Sequence, residues 1–510
     1  MKSESPNRSF VSQLAQQGGI AFVGKICGRV FSFGFIILVT QAVAPNVYGK
    51  FTLALAAVVI IQNVFSFNLS QSIDYFLPKA LNQNDVGLAQ RIVIFVIQVV
   101  VLGSLVGVFV IVFNRGRIAQ FFDTPELVPY LVVLSLVLPF QAVVNVQKTI
   151  FSSVKRMEFR VIASEAGIPF LKLVMVVPLL YLGYEFIGLA VGYLIAIITA
   201  SLVGLYFITK HIGTLNGSIR RLLHPPTPPV SDMFDYAFPL YLTGIVYAVS
   251  GQISYLVLGF YLGPSEVGVY RVAYQLTTNL TLVNLAIAPV FKPMISESNS
   301  RETIQEKYRL ATRWVLLLTI PMALVLAIAP ETYLRILFSS DYLAASVAVV
   351  PLSIGQLFNA VTGPESMLIE GTGHTRITFL NSFAMVGLNI ILLFALVPKF
   401  GIFGAGLATG LGFLLIPVLA AIEIYIIESI HPFTTDSIKF LFAGIVSAAV
   451  GLGFVRIITN QYVIATLLPF LVLLIYIVVI RILKGFSTDE RRIAEQIDEK
   501  IEYRILQRLI

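Results

Sequence analysis

Residues 92–113 read IVIFVIQVVVLGSLVGVFVIVF, with no charged side chain among them. About 20 apolar residues wound as an α-helix cross the roughly 30 Å hydrocarbon core of a bilayer. A helix suits that environment because it satisfies its own backbone N–H and C=O groups where no water can. Comparable runs recur along the chain and predict fourteen spans, at about 18–43, 47–72, 88–113, 127–150, 160–182, 186–208, 236–262, 268–291, 311–329, 343–368, 375–397, 402–427, 437–458 and 461–482. Two tails and short connections remain, so no separate soluble catalytic domain is expected. Composition agrees: 57% of the 510 residues are hydrophobic and 12% are charged, against roughly 25% charged in soluble domains. The expected fold class is an all-α polytopic membrane protein.

The placement of positive charge sets the expected orientation, because lysine and arginine concentrate in loops that stay in the cytoplasm. With the N-terminus inside, most of the 35 Lys and Arg fall on that side, and the opposite side holds only Lys50, Arg115, Arg117, Arg271, Arg335 and Lys399. Both termini are therefore expected in the cytoplasm, and the cytoplasmic (cell) membrane is the expected location. The net charge of +8 is accounted for by topology and anionic lipid headgroups, with no nucleic acid partner. The opening MKSESPNRSFVSQLAQQGG has no small-residue cleavage site after a short apolar core, so the first span is expected to be an uncleaved signal anchor. Cys27, the single cysteine, lies inside that span, which excludes an intrachain disulfide and a cysteine-based metal cage.

Six spans precede the Pro-rich stretch HIGTLNGSIRRLLHPPTPPVSD at 211–232, which has the composition of a linker. The sequence on its two sides repeats. Ala44-Pro45-Asn46-Val47-Tyr48-Gly49-Lys50-Phe51 aligns without gaps to Gly263-Pro264-Ser265-Glu266-Val267-Gly268-Val269-Tyr270, an offset of 264 − 45 = 219 residues. Phe186-Ile187-Gly188-Leu189-Ala190 aligns to Ile402-Phe403-Gly404-Ala405-Gly406 at 404 − 188 = 216. The expected organisation is an N-terminal bundle over 1–210, a cytoplasmic linker over 211–235, a C-terminal bundle over 236–430, two extra helices over 431–484 and a tail over 485–510. Because six is even, the two bundles run the same way across the membrane. That predicts a pseudo-twofold axis along the membrane normal with a cavity between the bundles, as in transporters that rock one bundle against the other. The tail opens on a Ser487 to Glu490 capping-box pattern and spaces Ile493, Ile497, Ile501, Ile505 and Leu509 four apart, which predicts an amphipathic cytoplasmic helix.

The run from Gly18 through Pro78 combines a basic first span, the Ala44-Pro45-x-x-Tyr48-Gly49-x-Phe51 exit and a second span of small residues dotted with Gln and Asn. This run resembles the opening of the polysaccharide-biosynthesis flippases of the multidrug/oligosaccharidyl-lipid/polysaccharide exporter superfamily. FSSVKRMEFR at 151–160 and Gly401-Ile402-Phe403-Gly404-Ala405-Gly406 are similar to that family too, and the likeness is strongest to archaeal members. The resemblance implies translocation of a lipid-linked oligosaccharide, on a polyprenyl or dolichyl phosphate carrier, from the cytoplasmic to the outer leaflet. Glycan-assembly enzymes and membrane lipids are the partners it implies. Where the first half has Tyr48 the second has Val267, which leaves the repeat intact and weakens any claim that a Tyr-Gly pair is itself functional.

Charged groups at membrane depth cost about 2.5 to 3.5 kcal/mol each and therefore face a cavity or a partner. Lys25 and Arg29 sit one turn apart in the first span and are the candidates to bind the substrate phosphate. Lys25 lies near enough to the cytoplasmic end for snorkelling to the headgroups to serve as well. Glu165 and Lys172, seven apart, share a helical face and suit either a structural ion pair or ion coupling. Asp74 is the third ion-coupling candidate. The seventh span has no charge between Tyr241 and Tyr261 but offers Tyr241, Tyr247, Gln252 and Tyr255 as cavity polar groups, suited to sugar rings or to interhelical packing.

No Gly-x-x-x-x-Gly-Lys-Ser/Thr loop is present, which excludes ATP hydrolysis by a P-loop in this chain. His211, His224, His374 and His431 lack metal-ligand spacing, so neither a metal nor another cofactor is expected. The connections assigned to the outer side hold no Asp-x-Asp or Glu-x-Asp pair for a metal-dependent glycosyl transfer, so no enzyme activity is expected. Two other transport readings stay open: a multidrug or small-cation antiporter, and a flippase for a peptidoglycan-precursor lipid.

Overall fold

The structure is a computed structural model and describes residues 6–213, 230–285, 287, 291, 300–371, 375–432 and 435–486. Helices account for nearly all of these residues, and none is in a strand. Twelve helices among the described residues are long and apolar enough to cross a membrane. One of the twelve, Leu380–Ile427, covers two expected spans: it lies within a helical run, Thr375–Glu428, that is broken at Gly401 (φ 57°, ψ −134°), a conformation that favours glycine. The expected span at 268–291 begins in the helix Pro264–Thr278, and residues 286 and 288–290 lie outside the described set. Most of the linker over 211–235 and nearly all of the tail helix over 485–510 also lie outside it.

The chain divides into two compact units, residues 1–271 and 272–510. The first holds α1 (Pro6–Ala42), α2 (Pro45–Phe65), α3 (Ser72–Asn82), α4 (Val86–Phe121), α5 (Leu127–Ser135), α6 (Val137–Ser153), α7 (Met157–Arg160), α8 (Gly167–Tyr181), α9 (Gly192–His211), α10 (Val230–Tyr261) and the opening of α11 (Pro264–Thr278). Local chemistry sets these boundaries. Asp85 caps α4 by accepting from Leu88 N–H at 2.8 Å. Pro45 opens α2 at a position where its missing N–H costs nothing. Gly263 (φ 94°) closes α10 just before Pro264 opens α11.

A core of Leu69, Ile73 and Leu77 from the α2–α3 segment, Ile92 and Val96 from α4, Val146 and Ile150 from α6 and Met233 from α10 holds one end of this unit together. By contrast, Phe109, Phe113, Val23 and Val30 stand more than half exposed, as side chains facing lipid do. The two copies of the repeated motif meet here. A methyl group on Gly49 would strike the carbonyl of Pro264, and one on Gly268 would strike the carbonyl of Pro45. The contact is reciprocal, motif against motif, as a local twofold between the two segments requires.

The second unit is built from α12 (Arg301–Ile328), α13 (Pro330–Leu337), α14 (Ser346–Gly371), the broken α15 (Thr375–Glu428), α16 (Thr435–Ile457) and α17 (Gln461–Ile482). Arg313 on α12, only 5% exposed, links three parts of this unit. It donates to Asp436 of α16 at 2.5 Å and to the Gly485 carbonyl beyond α17 at 2.8 Å, while Lys439 donates to the other Asp436 oxygen at 2.8 Å. Such charge-assisted bonds, each partner satisfied, are what let an arginine sit at this burial.

Candidate functional site

The first unit carries the cations singled out in the sequence. In α1, Gly24 packs against the side chain of Val161 and Gly28 against the backbone carbonyl of Glu165. Glycines four apart lay a seam along one side of a helix and allow the neighbouring backbone to come into contact. The neighbour is not an ordinary α-turn: Val161–Glu165 winds as a π-helix, with Ala166 N–H donating to the Val161 carbonyl at 3.0 Å. Widened turns of this kind recur at functional sites. Lys25, one position past the first glycine and so about 100° round the helix, is exposed. Arg29, one position past the second, is half-buried and engaged with a neighbour. The seam thus fixes the face on which both cations stand.

Glu165 and Lys172 do not pair with each other. The Glu165 carboxylate accepts from Arg160 at 3.0 and 3.1 Å, and Arg160 also donates to Ser152 at 2.6 Å. Lys172 places its ammonium 4.2 Å from the centre of the Tyr193 ring, a cation–π contact. Asp74, exposed on α3, accepts from Ser153 at 3.2 Å. Glu165 and Asp74 therefore belong to the polar network joining α3, α6 and the π turn, while Lys172 braces α8 against Tyr193 in the first turn of α9.

Helix α10 uses its polar groups in a different way. Tyr241 donates its hydroxyl to the Val64 carbonyl of α2 at 2.9 Å. Tyr255, 1% exposed, accepts from Arg271 at 2.9 Å, with the guanidinium carbon 5.1 Å from its ring centre. Tyr247 is 51% exposed and Gln252 is half-buried. Tyr241 and Tyr255 are thus committed to contacts within the unit.

The structure adds a cavity of about 260 Å³ in this unit. Gln62, Asn63 and Ser66 of the α2 exit, Gln141 and Asn145 of α6, and Tyr193 supply its polar wall, and none of its lining residues carries a charge. Gln62 and Ser66 are four apart, as are Gln141 and Asn145, a spacing that puts each pair on one helical face. That spacing was the available signal in the sequence; the meeting of two helices about eighty residues apart was not.

The relatives agree with this architecture. A family profile for polysaccharide biosynthesis proteins matches residues 32–347. The chain is 22% identical over 368 residues to an uncharacterized membrane protein, MJ1068, of Methanocaldococcus jannaschii, covering 68% of this chain and 71% of that one. It is 28% identical over 201 residues to the probable flippase AglR of Haloferax volcanii, covering 37% and 41% of the two chains. Against the probable low-salt glycan biosynthesis flippase Agl15 of the same organism it is 26% identical over 168 residues, covering 32% and 36%. Among solved structures it is similar to the lipid II flippase MurJ in an inward closed conformation, at a TM-score of 0.73 and 17% identity over 90% of this chain and 98% of that one. An inward-facing MATE-family multidrug transporter matches at a TM-score of 0.63 and 14% identity, over 81% and 98%. At these identities the two structures speak to the fold alone. With the family profile covering well over half its length, this multi-pass membrane chain belongs to the polysaccharide biosynthesis protein family.

Proposed function

We infer that the protein is a flippase that moves a lipid-linked glycan precursor across the cytoplasmic membrane by alternating access. The observation that carries this reading is the helix α1 seam. Gly24 and Gly28 hold the helix against the π turn, and Lys25 and Arg29 follow them on the adjoining face. A phosphate or pyrophosphate crossing an apolar slab needs charge-assisted donors at membrane depth, and an arginine offers several in a fixed fork. Arg29 takes the role of phosphate ligand in this reading, with Lys25 beside it.

The carrier is proposed to be a polyprenyl or dolichyl phosphate, supplied by glycan-assembly enzymes at the cytoplasmic face, and both termini are proposed to lie on that face. The six-plus-six helix repeat supplies the moving parts, and the reciprocal packing of Gly49 and Gly268 supports pairing its two motifs. Glu165, Lys172 and Asp74 stay candidates for ion coupling, although each has a local partner. The chain is proposed to act as a transporter without catalysis of its own.

Deleting the gene tests the reading. A lipid-linked oligosaccharide should accumulate on the cytoplasmic leaflet while surface glycan is lost. Unchanged glycan together with a gain in drug sensitivity would favour the antiporter instead.

A further inference from the structure

The cavity in the first unit stands apart from the cations of α1, and its chemistry is one-sided. Its polar lining is built of primary amides and hydroxyls, with no acid and no base. A primary amide offers two donors and an acceptor at no formal charge. That complement matches adjacent hydroxyl groups, each of which donates and accepts, and it matches neither a phosphate nor a lipophilic cation. At about 260 Å³ the cavity lies just under the range of drug-sized ligand sites, large enough for one ring and too small for a lipid chain.

Two further observations point to a ligand. Gln62 is 9% exposed and its amide nitrogen, buried, has no hydrogen-bond partner. A buried donor left unpaired carries a desolvation penalty, and turning the amide toward an acceptor in the cavity would remove it. Across the cavity the Asn145 side chain accepts from Gln141 at 3.4 Å, a long and weak bond that a better partner can replace. Tyr193, held by Lys172 from 4.2 Å, is a fixed aromatic at the wall, and aromatic rings suit the apolar faces of sugars.

We propose that this cavity is a subsite for one neutral, hydroxylated sugar ring of the transported glycan, read by Gln62, Asn63, Gln141 and Asn145. The proposal rests on the flippase reading and adds a place where glycan identity is checked, separate from the phosphate contact at Arg29. The glycan would dock one residue here while its phosphate engages α1.

The test uses the full chain in nanodiscs and saturation-transfer NMR with the free methyl glycosides of glucose, galactose and N-acetylglucosamine, with tetraphenylphosphonium as a cationic control. At least one glycoside should receive saturation from the wild type, and Gln62→Leu and Asn145→Leu should each reduce that transfer at least tenfold. Gln141→Ala, a milder change, guards against misfolding, and the thermal melt of every variant is recorded alongside. No transfer to any glycoside, transfer that the folded variants leave unchanged, or transfer to tetraphenylphosphonium that the variants abolish, overturns the subsite. A parallel assay follows flipping of a lipid-linked oligosaccharide in vesicles. Wild type that flips but binds no glycoside removes the subsite and keeps the flippase; wild type that never flips removes the flippase reading itself.

Discussion

Helices α1 and α10 each run into the same small-Pro-x-x-x-Gly turn, yet they spend their polar side chains in opposite ways. On α1 the glycines at 24 and 28 make the helix contact, and the cations at 25 and 29 are left to the adjoining face. On α10 the polar groups themselves make the contacts: Tyr241 holds the α2 backbone and Tyr255 holds Arg271. The difference separates a helix that is anchored by what it lacks from one anchored by what it carries. In the first arrangement the glycines, and not the cations, make the seam with the π turn.

The largest expected effect comes from closing the α1 seam. Gly28→Leu would drive a side chain into the Glu165 carbonyl, a backbone atom that cannot step aside. It should cost more than about 3 kcal/mol and appear as lost expression or a collapsed melt in detergent. Arg29→Ala comes next and should act on transport rather than on folding. The loss of a charge-assisted phosphate contact, about 1.5–3 kcal/mol, predicts roughly a 10- to 100-fold fall in flipping, with Arg29→Lys between it and wild type. If Arg29→Ala flips at the wild-type rate with an unchanged melt, α1 is no different in kind from α10.

On α10 the order is reversed, with stability affected and transport spared. Tyr255→Phe strands a donor of Arg271 and should cost about 1.5–3 kcal/mol, read as a lower melting temperature with flipping per folded molecule preserved. Tyr241→Phe removes one neutral hydrogen bond to the Val64 carbonyl and should cost about 1 kcal/mol. A flipping defect in either variant out of proportion to its melt would bring α10 back into the substrate path.

Much of this was legible in the sequence. Long apolar runs marked a helical membrane protein because helix length and bilayer thickness leave little choice, and twelve helices among the described residues are long and apolar enough to cross, against the fourteen spans expected. The Gly24-x-x-x-Gly28 spacing marked the α1 seam, and the paired motifs at 45–49 and 264–268 turned out to touch. The roles of Tyr241 and Tyr255 were not legible, since the Val64 carbonyl that Tyr241 meets lies far from it in sequence, and stacking on sugar and packing on a neighbour ask for the same side chain. Glu165 and Lys172 share a face at seven residues apart, but Arg160 lies nearer to the carboxylate and the Tyr193 ring nearer to the ammonium. The cavity assembles from 62, 141 and 193, a conjunction that no local pattern records.

The π turn at Val161–Glu165 has a consequence for how this protein can change in length. Its i→i+5 winding accommodates one residue more than an α-turn does. Losing a single residue there lets the turn relax to ordinary α-winding while Lys172 still reaches Tyr193. One residue gained or lost elsewhere in the same span would swing everything beyond it by about 100°, carrying that ammonium off the ring. The stretch Val-Ile-Ala-Ser-Glu is thus the place in this span where a codon can be deleted without turning the rest of the helix.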